Sequence, residues 1–564
     1  MKKYIFILAG LYCALTSAMS GQPAPLEHSE LKKSDANIIG HVLDKNSEEH
    51  LPYITIALKG TTIGTVTDAT GHYFLKNLPE GNFVMEVSSV GYKTIIRSVT
   101  LKKGKTLEEN FELEEDAIAL DGVVVSANRN ETTRRMAPTL VNVVDLKLFE
   151  STNSSTLSQG LNFQPGVRVE TNCQNCGFQQ VRINGLDGPY TQILIDSRPV
   201  FSALSGVYGL EQIPASMIER VEVMRGGGSA LFGSSAIAGT INIITKEPLR
   251  NSGQLSHTIT GFSGGNSFDN NTSLNLSLVT DDHRAGVYIF GQNRHRSGYD
   301  YDGDGFTELP KLKNQTVGFR SYFKTSTYSK LTFEYHHLQE FRRGGDMLNR
   351  PPHEANIAEQ LEHAIDGGSL KFDYFSPNEK HRFSVFTSAA NTDRDSYYGG
   401  GQDPNAYGKT TDFTVMGGTQ YMYSFGRCLF MPADLTAGLE YNRDHLEDNM
   451  WGYNRHTEQT VNIYSGFLQN EWKNEKWGIL LGGRLDKHNM VDHVIFSPRA
   501  NLRFNPTKDV NFRLSYASGF RAPQAFDEDM HIENVGGTVS MIERAKGLKE
   551  EKSQSLSASA DMYR

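Results

Sequence analysis

The sequence predicts a mainly β protein: an N-terminal β-sandwich, a middle domain built around a pair of strands, and an antiparallel β-barrel that spans a membrane. Three observations predict it. Lys2 and Lys3, the apolar stretch Tyr4 to Leu15, and then Ala18, Met19 and Ser20 read as a secretory signal peptide, residues 1–20. Short alternating segments divided by turn residues such as Asp68, Gly71, Pro79 and Gly81 fill 38–113. After Pro248 long strands alternate apolar or aromatic residues with Arg, Asn and Ser, as Leu274, Leu276 and Leu278 do with Ser273, Asn275 and Ser277. That alternation suits lipid outside and a polar lumen inside.

The bulk properties agree with this reading. A chain of 564 residues exceeds one ordinary core, so several domains are expected. A mean hydropathy of -0.44 resembles that of a soluble protein, yet in a barrel only alternate residues face lipid. A net charge of -9 argues against a nucleic-acid binder, which would carry a basic face. Bulky Tyr12 before Cys13 argues against a lipoprotein anchor. Without the signal three cysteines remain, and in an oxidising compartment Cys173 and Cys176 are placed for a small disulfide loop, with soft-metal capture as the alternative. Cys428 has no evident mate.

In order, 21–37 is a polar leader with Pro23 and Pro25, and 38–113 is the sandwich. Residues 114–133 form a linker, within which Leu120, Asp121, Gly122, Val123, Val124, Val125, Ser126 and Ala127 read LDGVVVSA. Its valine run lacks alternation and lies where a lone strand has no neighbour, which suits recognition by β-addition. Residues 134–246 are the middle domain, ending in two alternating segments, Glu219 to Met224 and Thr240 to Lys246, that flank a glycine-rich run and read as strand, tight turn, strand. That run is no phosphate loop, because the Lys and Ser/Thr that would follow its last glycine are missing. From 247 to 564 about fourteen barrel strands are expected.

Several stretches resemble known families. G-x-V-x-D, P-Y-I-T-I, G-T-V-T-D-A-T-G-x-Y, L-P-E-G and V-G-Y, in that order through 38–113, resemble the carboxypeptidase-regulatory-like domain, a structural module. LNFQPGVRVE, QQVRINGLDGPYTQILIDSRPV and IERVEVMRGGGSALFGSSAIAGTINIITK resemble, in order, the α/β plug domain of TonB-dependent outer-membrane receptors, of the Bacteroidetes type that carries such an N-terminal module. Leu120 to Ala127 then resembles a TonB box. The resemblance implies an outer-membrane location with the N-terminal domain in the periplasm, pairing of that box with TonB working with ExbB and ExbD, and import of a scarce ligand. It implies no catalysis. Receptors of this family have more strands than fourteen, so a partial barrel lacking about eight strands is expected, as a fragment or truncated product.

Iron-siderophore, haem or cobalamin-type complexes are the favoured cargo. Glycan or peptide import, glycan importers working with a surface lipoprotein, is the alternative, as is an adhesion or assembly barrel that moves nothing. Plug loops 184–190 and 197–208 are rich in Gly, Tyr and Ser, which nominates Asn184, Asp187, Tyr190, Arg198 and Tyr208 for ligand contact. Gly519 to Pro523 resembles the F-R-A-P box of haem receptors, which adds Arg521 and places His531 where an axial ligand stands. The second haem box is degenerate at Ala545 to Leu548, the plug has no histidine, and cobalamin and siderophore receptors share F-R-A-P, so a loop histidine stays open. Asp300, Asp302, Asp304 and Glu308 in D-Y-D-G-D-G-F-T-E offer oxygen ligands for calcium, with a solvated acidic loop as the alternative and no obligatory cofactor. His337 and Glu340 give H-x-x-E, reminiscent of zinc carboxypeptidases. On a strand an offset of three sends them to opposite faces.

Overall fold

The computed structural model describes residues 33–562, apart from 69, 90–91, 115–122, 174, 176, 200–212, 235, 263–266 and 525–543. The expected signal peptide lies outside the described residues. The leader was expected to reach residue 37, but β1 (Lys33–Asp44) already begins inside it, since Ala36 and Ile38 are buried in the sandwich core.

The N-terminal domain is two facing sheets. One joins β4 (His72–Pro79), β1, β7 (Thr106–Glu108) and β8 (Phe111–Leu113); the other runs β3 (Gly64–Val66), β2 (Thr55–Leu58), β5 (Gly81–Ser88), β6 (Ile95–Leu101). Alternation puts Ile56, Leu58, Met85 and Val87 inward from the second sheet against Ile38, Val42 and Leu75 from the first.

Within the linker, β9 (Val123–Val124) pairs antiparallel with β10 (Thr132–Thr133). The valine run was expected to lack a neighbour; a local hairpin supplies one. The next sheet is ordered β11 (Val141–Asp145), β15 (Ile218–Arg225), β16 (Gly239–Thr245), β14 (Thr191–Ile195), with β14 parallel to β16. A separate hairpin, β12 (Val167–Cys173) and β13 (Phe178–Ile183), packs beside it, and two short helices, α1 (Leu146–Ser151) and α2 (Leu157–Leu161), close the core. Asp145 caps α1 by accepting from Leu148 N–H at 2.9 Å.

The connection from β15 to β16 is not the tight turn expected. It carries a helical turn, α3 (Ser229–Phe232), that buries Leu231 and Phe232 against Leu194 and Met224. Gly226 N–H bonded to Ala238 O and Gly228 N–H to Ala236 O draw the two arms together beneath it.

From β17 (Ser252–Gly261) to β30 (Glu551–Met562) the chain forms one sheet of 14 strands in sequential antiparallel order. Its burial is inverted relative to a soluble sheet. Leu274 and Leu278 are 43% and 53% exposed while Asn275 and Ser277 between them are 7% and 6%. Phe512 and Leu514 alternate in the same way with buried Asn511 and Arg513. An apolar exterior and a polar interior fit a wall standing in lipid. Among the described residues no helix is long and apolar enough to cross a membrane.

The wall curls round the middle domain: Tyr288 Oη donates to Ser216 O at 2.7 Å, Arg342 to Gly177 O at 3.2 Å and Arg484 to Leu231 O at 3.2 Å. Turns 280–284, 327–328, 376–380, 429–430, 474–476 and 505–509 mark one end of the wall, and the longer loops 297–310 and 346–356 mark the other. The sandwich touches the short-turn end, where Thr62 N–H donates to Thr327 O at 2.8 Å and Arg250 lies 3.7 Å over the Tyr53 ring.

Candidate functional site

The functional geometry divides between the two ends of the plug. At the short-turn end, the valine run leads into a buried segment. Val124, Ser126, Ala127 and Asn128 are all buried. One oxygen of Glu222, on central strand β15, accepts from Val125 N–H at 2.9 Å, Ser126 N–H at 2.9 Å and Ser126 Oγ at 2.7 Å. Its other oxygen accepts from Arg220 Nε at 3.0 Å. A carboxylate taking several donors in a dry site binds them strongly. Leu120, Asp121 and Gly122, the front of the expected box, lie outside the described residues.

The chain beyond is tied to the wall. Asn128 Nδ2 donates to Glu471 at 2.6 Å, Arg499 donates to Ala127 O at 3.0 Å, and Arg513 Nε donates to Ala137 O at 3.0 Å. Arg129 ion-pairs with Glu440, which also accepts from Arg484 at 2.7 Å, and its guanidinium lies 4.6 Å over the Phe467 ring. None of Glu222, Arg129, Glu440 or Arg484 is evident from local pattern. The IERVEVM strand also carries Glu219 and Arg220, so its sequence does not single Glu222 out.

Arg198 belongs to this end too, which corrects its expected place among outer ligand contacts. It is 5% exposed, with its guanidinium 5.6 Å from the Phe386 ring. Asp196 and Ser197 take positive φ values of 48° and 65°, and Ile195 bridges to Arg198, so the chain turns back sharply. Beside it Asp196 ion-pairs with Arg320 from the wall and accepts from Thr245 Oγ1 at 2.7 Å. Burial works to raise the Asp196 carboxyl, but Arg320 and Arg198 hold it below its ordinary value.

At the long-loop end, Tyr190 and Arg521 come together. The Arg521 guanidinium lies 5.3 Å over the Tyr190 ring and 3.6 Å from Glu551. The hydrogen bond to Glu551 pushes the Tyr190 phenol above its ordinary value. Asn184 turns the chain at a φ of 54°, and Asp187 ion-pairs with Arg182. Cys173 Sγ stands 2.9 Å from Glu359 on the wall, while its expected mate Cys176 lies outside the described residues. So do Tyr208 and His531.

The acidic loop follows β19 (Ala285–Arg296) at the same end. Asp300, Asp302, Asp304 and Glu308 each place a carboxylate oxygen within 4.8 Å of the others. The H-x-x-E pair does diverge: His337 reaches outward to Asp366 at 2.9 Å, and Glu340 is buried against Arg342 at 2.7 Å.

Three family models match: a CarboxypepD_reg-like domain over residues 38–125, a TonB-dependent receptor plug domain over 133–240, and a TonB-dependent receptor-like β-barrel over 238–564. A curated relative, the vitamin B12 transporter BtuB of Vibrio vulnificus, is 37% identical over 125 residues, which is 22% of this chain and only 20% of the relative. The siderophore receptor PirA of Acinetobacter baumannii has a TM-score of 0.64 at 17% identity, over 76% of this chain and 69% of that one. The ferric enterobactin receptor PfeA of Pseudomonas aeruginosa has a TM-score of 0.59 at 20% identity, over 69% and 63%. Identities this low show a shared fold. With a barrel match spanning more than half its length, this chain belongs to the TonB-dependent receptor family.

Proposed function

We propose that the protein imports a scarce metal complex, an iron chelate or a corrinoid, across the outer membrane, with TonB, ExbB and ExbD supplying the pull. The short-turn end then faces the periplasm and holds the sandwich. The observation that carries this reading is the polarity of the plug. Val123–Asn128 is latched at one end by Glu222, and Tyr190, Arg521 and Glu551 gather at the other. Force on the first end strips the hydrogen bonds that tie Val125 and Ser126 to Glu222 on central strand β15. The similar proteins, a vitamin B12 transporter, a siderophore receptor and a ferric enterobactin receptor, support the cargo class.

We also assign the acidic loop a calcium ion, supported by its four converging carboxylates. The test is uptake of a labelled ferric siderophore and of cyanocobalamin by cells producing the full-length protein, with and without Leu120 to Ala127. Uptake lost on deletion while surface binding persists is the expected result. If neither compound binds, the metal-complex reading falls, and glycan or peptide import, with a surface lipoprotein in the glycan case, takes its place. Binding with no uptake in either form points to adhesion. His531→Ala decides whether haem is the complex held.

A further inference from the structure

The N-terminal sandwich carries a cluster that transport does not use. His41 on β1 and His72 on β4 are direct cross-strand partners, and His50 joins them through its bridge to Leu43. The three ring centroids are 4.8, 5.2 and 5.7 Å apart. Metal–nitrogen bonds of about 2.0–2.1 Å put imidazole centroids roughly 3 Å from an ion, so three rings on a tetrahedral ion lie about 5 Å apart. The observed triangle has that size.

Two local features prepare it. His72 Nδ1 lies 2.9 Å from Thr70 O, and donating there leaves Nε2 with its lone pair outward, the arrangement that orients metal-binding imidazoles. Gly71, at a φ of +76°, lets the turn pass against His50, whose Cβ a side chain at 71 would strike. Both His50 and His72 are exposed, so the His50 ring can turn toward an ion held by His72 Nε2. No core packing calls for three imidazoles on this face.

We infer that His41, His50 and His72 form a binding site for a borderline divalent transition ion, zinc being the probe of choice, with water completing the tetrahedron. The site is independent of the transport reading. The test uses the full-length protein in detergent, stripped with chelator and titrated with Zn²⁺ by calorimetry and with Co²⁺ by visible absorption. One equivalent with an intense tetrahedral Co²⁺ band is expected, weakened at least about tenfold by His50→Gln and by His41→Gln. Asp302→Asn in the distant acidic loop leaves that equivalent in place. Equal zinc binding by the parent and both histidine variants, or a weak octahedral Co²⁺ spectrum, overturns the assignment. Melting curves of the variants show whether a loss reflects misfolding, and His72→Gln supplies a third independent arm.

Discussion

A single carboxylate oxygen, Glu222 Oε2, holds Ser126 twice, accepting its backbone N–H at 2.9 Å and its hydroxyl at 2.7 Å. Glu222 is fully buried, so water does not replace these bonds when the side chain is removed. Hydrogen bonds to a charged group contribute about 1.5–3 kcal/mol each. Glu222→Ala is therefore expected to lower the free energy of local opening by several kcal/mol and to raise amide exchange at Val125 and Ser126 by at least about tenfold, before any loss of global stability. Unchanged exchange at those two amides would show that the segment is held by the wall alone.

The pair Asp196 and Arg320 joins plug to wall, and its response to acid follows from the sign of the shift. The folded carboxyl sits below its unfolded value, so its contribution is present above about pH 4 and is lost as pH falls through the unfolded value toward the folded one. Proteolysis of the connection at 246–248 should accelerate over that acid window. Asp196→Asn should remove part of the acid dependence and loosen the connection at neutral pH. Breaking an isolated buried pair costs about 3–5 kcal/mol. The loss here should be smaller, because Arg320 keeps Glu334 and Glu247. An Asn variant with the parent's acid profile would assign the response to other carboxylates.

Arg521 over Tyr190 is a contact near the long-loop end with little structural duty. A cation–π contact between half-buried groups contributes about 0.5–2 kcal/mol, so Arg521→Ala should move the melting temperature only slightly in a barrel of this size. Its expected effect is on cargo: affinity for the ferric siderophore or cobalamin falls several-fold while Arg521→Lys recovers part of it. A variant that melts early and binds normally would make Arg521 a brace for Glu551.

The barrel was legible because lipid reverses the usual burial while keeping a period of two, so Phe512, Leu514 and their polar neighbours declare their faces without any partner strand being known. The sandwich was legible from the same period of two, with its apolar face turned inward. Contacts between Ser126 and Glu222, or Arg129 and Glu440, join residues far apart in sequence, and no local period encodes them. Arg198 was misplaced because loop composition says nothing of direction: the turn at Asp196 and Ser197 sends it back toward Phe386. Tyr190 and Arg521 were each nominated separately. That they meet depends on how the plug sits in the wall.

The acidic loop gives the last prediction. Asp300 accepts from Gly303 N–H at 2.7 Å and Gly305 N–H at 2.9 Å, and Glu308 accepts from Tyr301 N–H, so the backbone draws in four carboxylates that repel one another. A hard cation with oxygen ligands relieves that repulsion. Three of the four side chains are exposed, which suits the weak range of extracellular calcium modules, a dissociation constant of about 10⁻⁴–10⁻³ M. Millimolar calcium should protect 299–309 from proteolysis, a chelator should reverse that, and Asp302→Asn should raise the calcium needed by about tenfold. Magnesium should not substitute, because it demands octahedral geometry and sheds its water reluctantly. Cleavage indifferent to calcium would leave the loop as four solvated acids held by turn hydrogen bonds.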